Sequence, residues 1–389
     1  MNITWVIRSF LDYHIPVFKA LDEKIGHKLC VIYAKDFVPP RVSQKAEGIL
    51  GSRAIGLSGE WKLGAEDYNY MANSLLSIRF HPGLMKAIKK SKPNILIGDG
   101  FFKWTAAALL YKIIHKVPIV VCYERTSHTE RNAQWYRVAY RKFVMRWIDA
   151  MCCNGKLSGQ YVQSLGFPET NISYGHMVAD TTGLQNDIAK VAKEQVFELK
   201  KLYNLKGIVF LYVGRFVQCK GITGFLKIWE EFSKDIPDNQ ATLLLVGYGP
   251  QRNEVDEFIQ QNKLSNVRIA GFVSYNNLAQ YYKAADVFVI PTLEDNWSLV
   301  VPEAMVCGLP ILCSKYNGCW PELIHPDENG WVFDPIDDEN TLQCLKVCMK
   351  NKNRLSQMGH KSQSIVDNYT PENAAHSILR ACEIAIGNH

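Results

Sequence analysis

Residues 208–221 read IVFLYVGRFVQCKG: a six-residue apolar run, Ile208–Val213, opens straight into a loop bounded by Gly214 and Gly221. The run has the length and β-branching of a strand, and a glycine exit is how strands of parallel α/β layers commonly turn toward a helix. Gly214 and Gly221 permit tight turns, Arg215 can fork onto two phosphate oxygens and Lys220 adds a point charge, a set that suits a diphosphate. Read alone, a surface loop with two ordinary cations accounts for it as well.

The same rhythm runs through the second half. Strands are predicted at Ala241–Val246, Val267–Ala270, Ala285–Ile290 and Leu309–Cys313, with helices at Thr223–Ser233, Asn253–Asn262, Asn276–Ala284 and Val301–Val306. In the first half, strands at Ile3–Ile7, Lys28–Ala34, Asn94–Gly98, Pro118–Cys122 and Asp149–Cys153 alternate with helical stretches, the longest from about Arg131 to Ile148. Alternation of this kind predicts two doubly wound α/β domains, whose strand C-termini bind ligands. The expected division is 1–175, a linker at 176–205, 206–368, and a C-terminal helix at 369–389 crossing back to the first domain.

At 389 residues, with 47% apolar and 21% charged residues, the chain is globular and large enough for two cores. Its net charge of +6 is unevenly placed: residues 1–180 hold 24 Lys/Arg against 14 Asp/Glu. A basic half can face anionic lipid or simply be solvated; without finger spacing or an aromatic-interleaved stripe, nucleic acid is not expected. Eleven cysteines, mostly in apolar stretches, read as reduced thiols of a cytoplasmic protein. MNITWVI at the start reads as a first strand rather than a signal peptide, and no 18-residue apolar stretch occurs, so membrane contact would be peripheral.

Two further loops complete the second-half pattern. VGYGP (246–250) places Gly247, Tyr248 and Gly249 after a strand, where glycines allow close backbone approach to a ligand. EDNWSLVVPEAMVCGLP (294–310) turns through Glu294, Asp295, Asn296, Trp297, Ser298 and Leu299 into the helix holding Glu303. Amides at such a helix start favour phosphate, and the carboxylates can accept from sugar or ribose hydroxyls. No G-x-x-x-x-G-K-[ST] is present and the first strand leads to RSFLD rather than G-x-G-x-x-G, so a sugar nucleotide is the economical ligand.

These residues resemble the retaining glycosyltransferases of family four, which have the two-domain GT-B fold. GRFVQCKG (214–221) is similar to their G-R-…-K-G loop, and DNWSLVVPE (295–303) to their glutamate, seven residues, glutamate motif. The resemblance implies that Arg215 and Lys220 bind the donor diphosphate, that Glu303 contacts the ribose, and that the first acid faces the transferred sugar. Here that position is Asp295, shorter than glutamate, with Glu294 beside it, and either could touch the sugar. Asn296, Trp297 and Ser298 fall where the family meets donor sugar and phosphate, although Trp297 also reads as a core aromatic.

The first half resembles the family more loosely. LDYHIPVF (11–18) is similar to a Y-R-x-P-x-F pattern, with His14 in place of arginine; packing of an amphipathic helix explains it equally. VVCYERTSHTER (120–131) gathers Glu124, Arg125, His128 and Glu130, costly to bury unless paired. The family's donor-sugar histidine falls at Glu124 or at His128. Asp99 faces the site or caps the following helix.

The resemblance implies a metal-independent retaining hexosyltransferase, in agreement with the absence of a D-x-D motif. It needs no cofactor beyond its nucleoside-diphosphate-sugar donor. The expected acceptor is a lipid-linked or polysaccharide precursor in bacterial surface glycan synthesis, including lipopolysaccharide, with the enzyme cytoplasmic and peripheral at the inner face of the membrane. A soluble acceptor, or a non-catalytic nucleotide-sugar binder, is the alternative. Trp61, Lys86–Lys92 and WYRVAYRKFVMRW (135–147) are candidate membrane contacts; a buried aromatic face with Arg137, Arg141 and Arg146 solvated beside it is the other reading of the last.

Overall fold

The structure, a computed structural model, describes residues 1–64, 77–237 and 239–389. The described residues form two compact units, Met1–Val178 with Thr370–His389, and Ala179–Tyr369.

The first unit holds strands β1 (Ile3–Val6), β2 (Leu29–Ala34), β3 (Ala54–Leu57), β6 (Ile95–Asp99), β7 (Ile119–Tyr123), β8 (Ala150–Cys153) and β9 (Ile172–Tyr174), with a separate antiparallel hairpin of β4 (Trp61–Gly64) and β5 (Ser77–Phe80) between β3 and β6. The main sheet is parallel, in the order β3-β2-β1-β6-β7-β8-β9. Its central strands are buried except at Asp99, the last residue of β6, as ILIG and IVVC runs must be when helices cover both faces.

Helix Pro371–Gly387 packs on β8, β9 and helix His14–Lys24 of this unit. Its inward residues are small, Ala374, Ala375, Ala381 and Ala385, around Ile378 and Cys382. Thr370 caps it by accepting from Asn373 N at 3.2 Å, and Ser173 Oγ donates to Ser377 O at 2.6 Å.

The second unit holds β10 (Ile208–Val213), β11 (Ala241–Val246), β12 (Val267–Gly271), β13 (Val287–Ile290), β14 (Ile311–Ser314) and β15 (Gly330–Phe333), all parallel, in the order β12-β11-β10-β13-β14-β15. In each unit the strand order reverses beside the first strand, between β1 and β6 and between β10 and β13. Ligands of doubly wound sheets bind at such reversals.

The linker expected at 176–205 is corrected. Residues from Ala179 onward belong to the second unit, where Thr181–Lys190 and Lys193–Leu202 are helices packed on helix Tyr275–Ala284. Asp180 caps the first by accepting from Gly183 N at 2.9 Å, Leu184 and Leu199 are buried, and Lys283 Nζ donates to the carbonyls of Ile188 and Val191. The stretch is polar because each helix buries only a narrow stripe. The long helix expected from Arg131 is Trp135–Val144, since residues 130–133 close a turn, Ala133 N donating to Glu130 O at 2.9 Å, and Met145–Trp147 tightens into a 3-10 turn. Strands β3, β9 and β15 and the hairpin, each three or four residues, were not anticipated.

Loops leaving the second sheet touch one another closely. Gly221 has φ +68°, and a Cβ there would lie 2.1 Å from the Pro291 carbonyl oxygen; at Gly247 a Cβ would lie 1.8 Å from the Gly214 carbonyl oxygen. The glycines of 246–250 thus admit the neighbouring backbone. Gly221→Ala is expected to cost about 2–4 kcal/mol of stability in urea unfolding, whereas Gly224→Ala, one turn on in an open helical position, gains about 0.5–1 kcal/mol.

Candidate active site

At the reversal of the second sheet, the loop after β10 and the loop after β13 are joined through one carbonyl. Cys219 O accepts from Leu293 N at 2.8 Å, Glu294 N at 3.1 Å and Thr292 Oγ1 at 2.8 Å. The next residue, Lys220, pairs its ammonium with Asp295. Ser298 Oγ donates to the same Asp295 oxygen, and Trp297 N to the other at 3.1 Å. Burial disfavours the Lys220 charge, but Asp295 outweighs it and holds the amine above the usual lysine range.

Arg215 differs. It is exposed, and among the described residues no hydrogen bond or ion pair engages its guanidinium; only its carbonyl is used, accepting from Tyr212 Oη at 3.0 Å. Its five donors stand at the mouth of the loop with Lys220 behind.

The 294–299 turn is buried, Leu299 excepted. Asp295 bridges to Asn317 in the loop after β14, with Gly318 N donating to Asp295 O at 3.0 Å. Asn317 Oδ1 faces Ser298 N and Cys319 N, each at 3.4 Å. The Trp297 amide is thus turned to Asp295 of the same turn, and the Ser298 amide to Asn317 of the loop after β14. Trp297 lies 6.3 Å from the Tyr369 ring and is buried, the core-aromatic reading, while Asn296 Oδ1 is buried without a hydrogen-bond partner. Tyr248 is exposed, beside Gly249 and Gly247.

Glu303, on the short helix Val300–Val306, accepts from Tyr282 Oη at 2.9 Å. Burial raises its carboxyl to about 7; the Tyr282 hydrogen bond opposes this and Asp180 reinforces it. Tyr282 and Asn317 were missed in the sequence. Asn317 follows a strand end as Asp295 does, which is a usable signal, but nothing local ties Tyr282 to a glutamate 21 residues away.

The first unit brings its own candidates to the reversal beside β1. Tyr13 and His14 open the first helix, Asp99 ends β6 and Glu124 follows β7. Burial, then Glu124 and Asp99, raise the Tyr13 phenol; burial, then His176, lower His14 to about 3, and burial lowers His176 to about 4, so both rings are neutral near pH 7. His176, unmentioned by sequence reasoning, places Nε2 3.3 Å from Tyr123 O. His128 is half-buried in the 126–129 turn, its carbonyl accepting from Arg131 Nη1 at 2.6 Å. Glu130 is committed elsewhere, to Arg125 Nη1 at 2.7 Å and Arg141 Nη2 at 2.5 Å. Asp99 does not cap the following helix, whose first residue Thr105 instead donates its hydroxyl to Asp99 O at 3.0 Å. On helix Trp135–Val144 the solvated reading is corrected at Arg141, which is buried with Val144 because Glu130 and Tyr161 supply its guanidinium's partners inside; Arg146, Trp135 and Phe143 are exposed.

Two outcomes test this geometry. Glu303 keeps its proton in the folded state between its ordinary 4.5 and about 7, so its contribution is full below 4.5 and is lost as pH rises through 7. Relative to Glu303→Gln, the wild-type chain should lose about 1–3 kcal/mol across that window, read as melting temperature against pH. Asp295→Asn leaves the Lys220 charge unpaired and is expected to cost about 2–4 kcal/mol in urea unfolding, most of it recovered by adding Lys220→Met.

Residues 195–365 match the family model for glycosyl transferases group 1. An uncharacterised glycosyltransferase of Haemophilus influenzae is 27% identical over 189 residues, 47% of this chain and 52% of that protein; the sulfoquinovosyl transferase of Arabidopsis thaliana is 22% identical over 358 residues, 89% of this chain and 65% of that protein. The alignments thus span between half and two thirds of these relatives' lengths. Anabaena HepE, solved in complex with UDP, superposes with a TM-score of 0.75 at 14% identity, over 98% of this chain and 100% of that one. Sucrose-phosphate synthase of Thermosynechococcus elongatus gives 0.71 at 17% identity, over 100% and 99%. By fold, the chain has the two-domain GT-B architecture of these structures, and its residues 195–365 match the glycosyl transferases group 1.

Proposed function

We propose that the chain is a metal-independent retaining hexosyltransferase that takes a sugar from a nucleoside diphosphate and gives it to a lipid-linked or polysaccharide-precursor acceptor in bacterial surface glycan synthesis. The observation that carries the reading is the free guanidinium of Arg215 beside the Lys220–Asp295 pair, at the strand-order reversal of a parallel sheet. Arg215 binds the diphosphate bidentately and Lys220 adds its remaining N–H groups. Both stabilise the charge that grows on the leaving phosphate oxygen as the anomeric bond breaks. That oxygen takes the acceptor hydroxyl proton while the hydroxyl oxygen bonds the anomeric carbon on the same face, so no protein nucleophile is required. Glu303 receives a ribose hydroxyl, and Asp295 or Glu294 lies toward the sugar.

Among the structural neighbours, HepE was solved with UDP-glucose, which makes a uridine donor the first to try. A lipid or glycan acceptor draws support from the basic first half and from relatives named alpha-monoglucosyldiacylglycerol synthase and lipopolysaccharide outer core galactosyltransferase. A soluble acceptor has its own support in a relative named N-acetyl-alpha-D-glucosaminyl L-malate synthase. The enzyme would act at the inner face of the membrane; among the described residues no helix is long and apolar enough to cross one.

Nucleotide release from UDP-hexoses, with alkyl-linked and soluble acceptors compared, tests the proposal. Transfer should persist in EDTA, and Arg215→Ala should lower kcat/KM about 100-fold, near 2.7 kcal/mol. Transfer within twofold of wild type in Arg215→Ala would overturn the diphosphate assignment.

A further inference from the structure

We infer that a groove in the first unit, between edge strand β3 and helix Leu84–Ser91, is a binding site for the phosphate of an amphiphilic ligand. The cavity has a volume of about 820 Å³ and draws its wall from both sides: His27, Lys28 and Arg53 on one, Lys86 and Lys90 on the other. Among the described residues that line it, none is acidic. Between the cationic walls lie apolar groups, among them Ile55, Leu57 and Ala87.

The two walls are held differently. Arg53 is fixed from behind by Asp22, whose buried carboxylate takes both terminal guanidinium nitrogens and His27 Nδ1, while Arg53 Nη1 also donates to Leu29 O at 2.9 Å. An arginine so braced is preorganised for a second anion. Lys28, Lys86 and Lys90 are exposed and carry no ion-pair partner among the described residues. Lys86 and Lys90 stand one turn apart on the helix, so both project along the same side. Like charges gathered across a groove repel, and an anion between them removes that repulsion. The apolar floor adds a preference that free phosphate cannot use, for a stem of methylene groups.

The cationic end of the groove lies where β1, β2 and β3 begin, marked by Asn2, Lys28 and Arg53, whereas Tyr13, Asp99 and Glu124 lie where strands of the same sheet end. The site is thus separate from the candidate sugar-transfer residues of this unit and does not depend on the transfer reaction.

Calorimetric titration of the full chain tests it, with decyl phosphate below its micelle concentration, decanol and inorganic phosphate as probes. Decyl phosphate is expected to bind about tenfold or more tightly than inorganic phosphate, and decanol not measurably. Lys86→Glu with Lys90→Glu should weaken decyl phosphate binding at least about tenfold, whereas Lys89→Glu with Lys92→Glu, on the same segment outside the groove, should change it less than about twofold. Undiminished binding in the first variant, equal loss in both, or no binding by the wild-type chain would overturn the inference. Sedimentation with phosphatidylglycerol vesicles separates the sources. Capture that fails in Lys86→Glu/Lys90→Glu assigns the groove to bilayer headgroups, and binding of decyl phosphate without vesicle capture assigns it to a free phosphorylated amphiphile.

Discussion

A single carbonyl, Cys219 O, governs the candidate site by accepting three hydrogen bonds from residues 292–294, some 73 positions further along the chain. One donor would let the loops slide past each other, but three, two of them backbone amides, fix both position and angle. The tie needs the chain to approach within contact of itself, which is why Gly221 has no side chain facing Pro291. Once the loops are joined, Lys220 cannot avoid Asp295, and Asp295 in turn sets the Trp297–Ser298 turn. Arg215 lies just before this welded segment, where backbone is fixed but the side chain is free.

The first unit fixes its loops with buried carboxylates instead. Glu60, 1% exposed, accepts from Arg8 Nε at 2.8 Å and Trp104 Nε1 at 2.8 Å, with Arg79 Nη1 at 3.4 Å. Asp22 holds Arg53, and Glu130 holds Arg125 and Arg141. The Glu60 and Asp22 pairs link segments well separated in sequence, the Glu130 pairs tie a turn to the helix after it, and breaking one would strand a charge in the interior. Such pairs add little net stability over an apolar substitute, but they reject alternative arrangements in which one partner is left alone. Much of the Arg/Lys excess of this half is nevertheless uncommitted, and the groove beside β3 concentrates part of it.

Long apolar strands were legible in the sequence because a parallel strand covered on both faces has no charged interruptions, as Ile208–Val213 and Ala241–Val246 show. Edge and terminal strands were not: AIGL at 54–57 and GWVF at 330–333 are short and contain glycine, and only their neighbours make them strands. The helices at 181–202 were hidden because their packing needs just Leu184 and Leu199. In the site, residue types were legible but their partners were not. Arg215, Lys220, Asp295 and Glu303 could each be named from spacing, whereas the pairing of Lys220 with Asp295 and of Glu303 with Tyr282 depends on loop and helix placement that spacing does not encode.

The two acids of the 295–303 segment consequently have opposite electrostatics. Asp295 is ringed by an ammonium, a hydroxyl and an amide. Glu303 is buried against a phenol, with Asp180 adding like charge, and its carboxyl rises to about 7. One carboxylate is therefore already paired with a cation of the loop after β10, and the other carries little charge until the pH approaches neutrality. On the proposed reading, that lowers the repulsion an incoming diphosphate would meet, with the exposed guanidinium of Arg215 as its first contact.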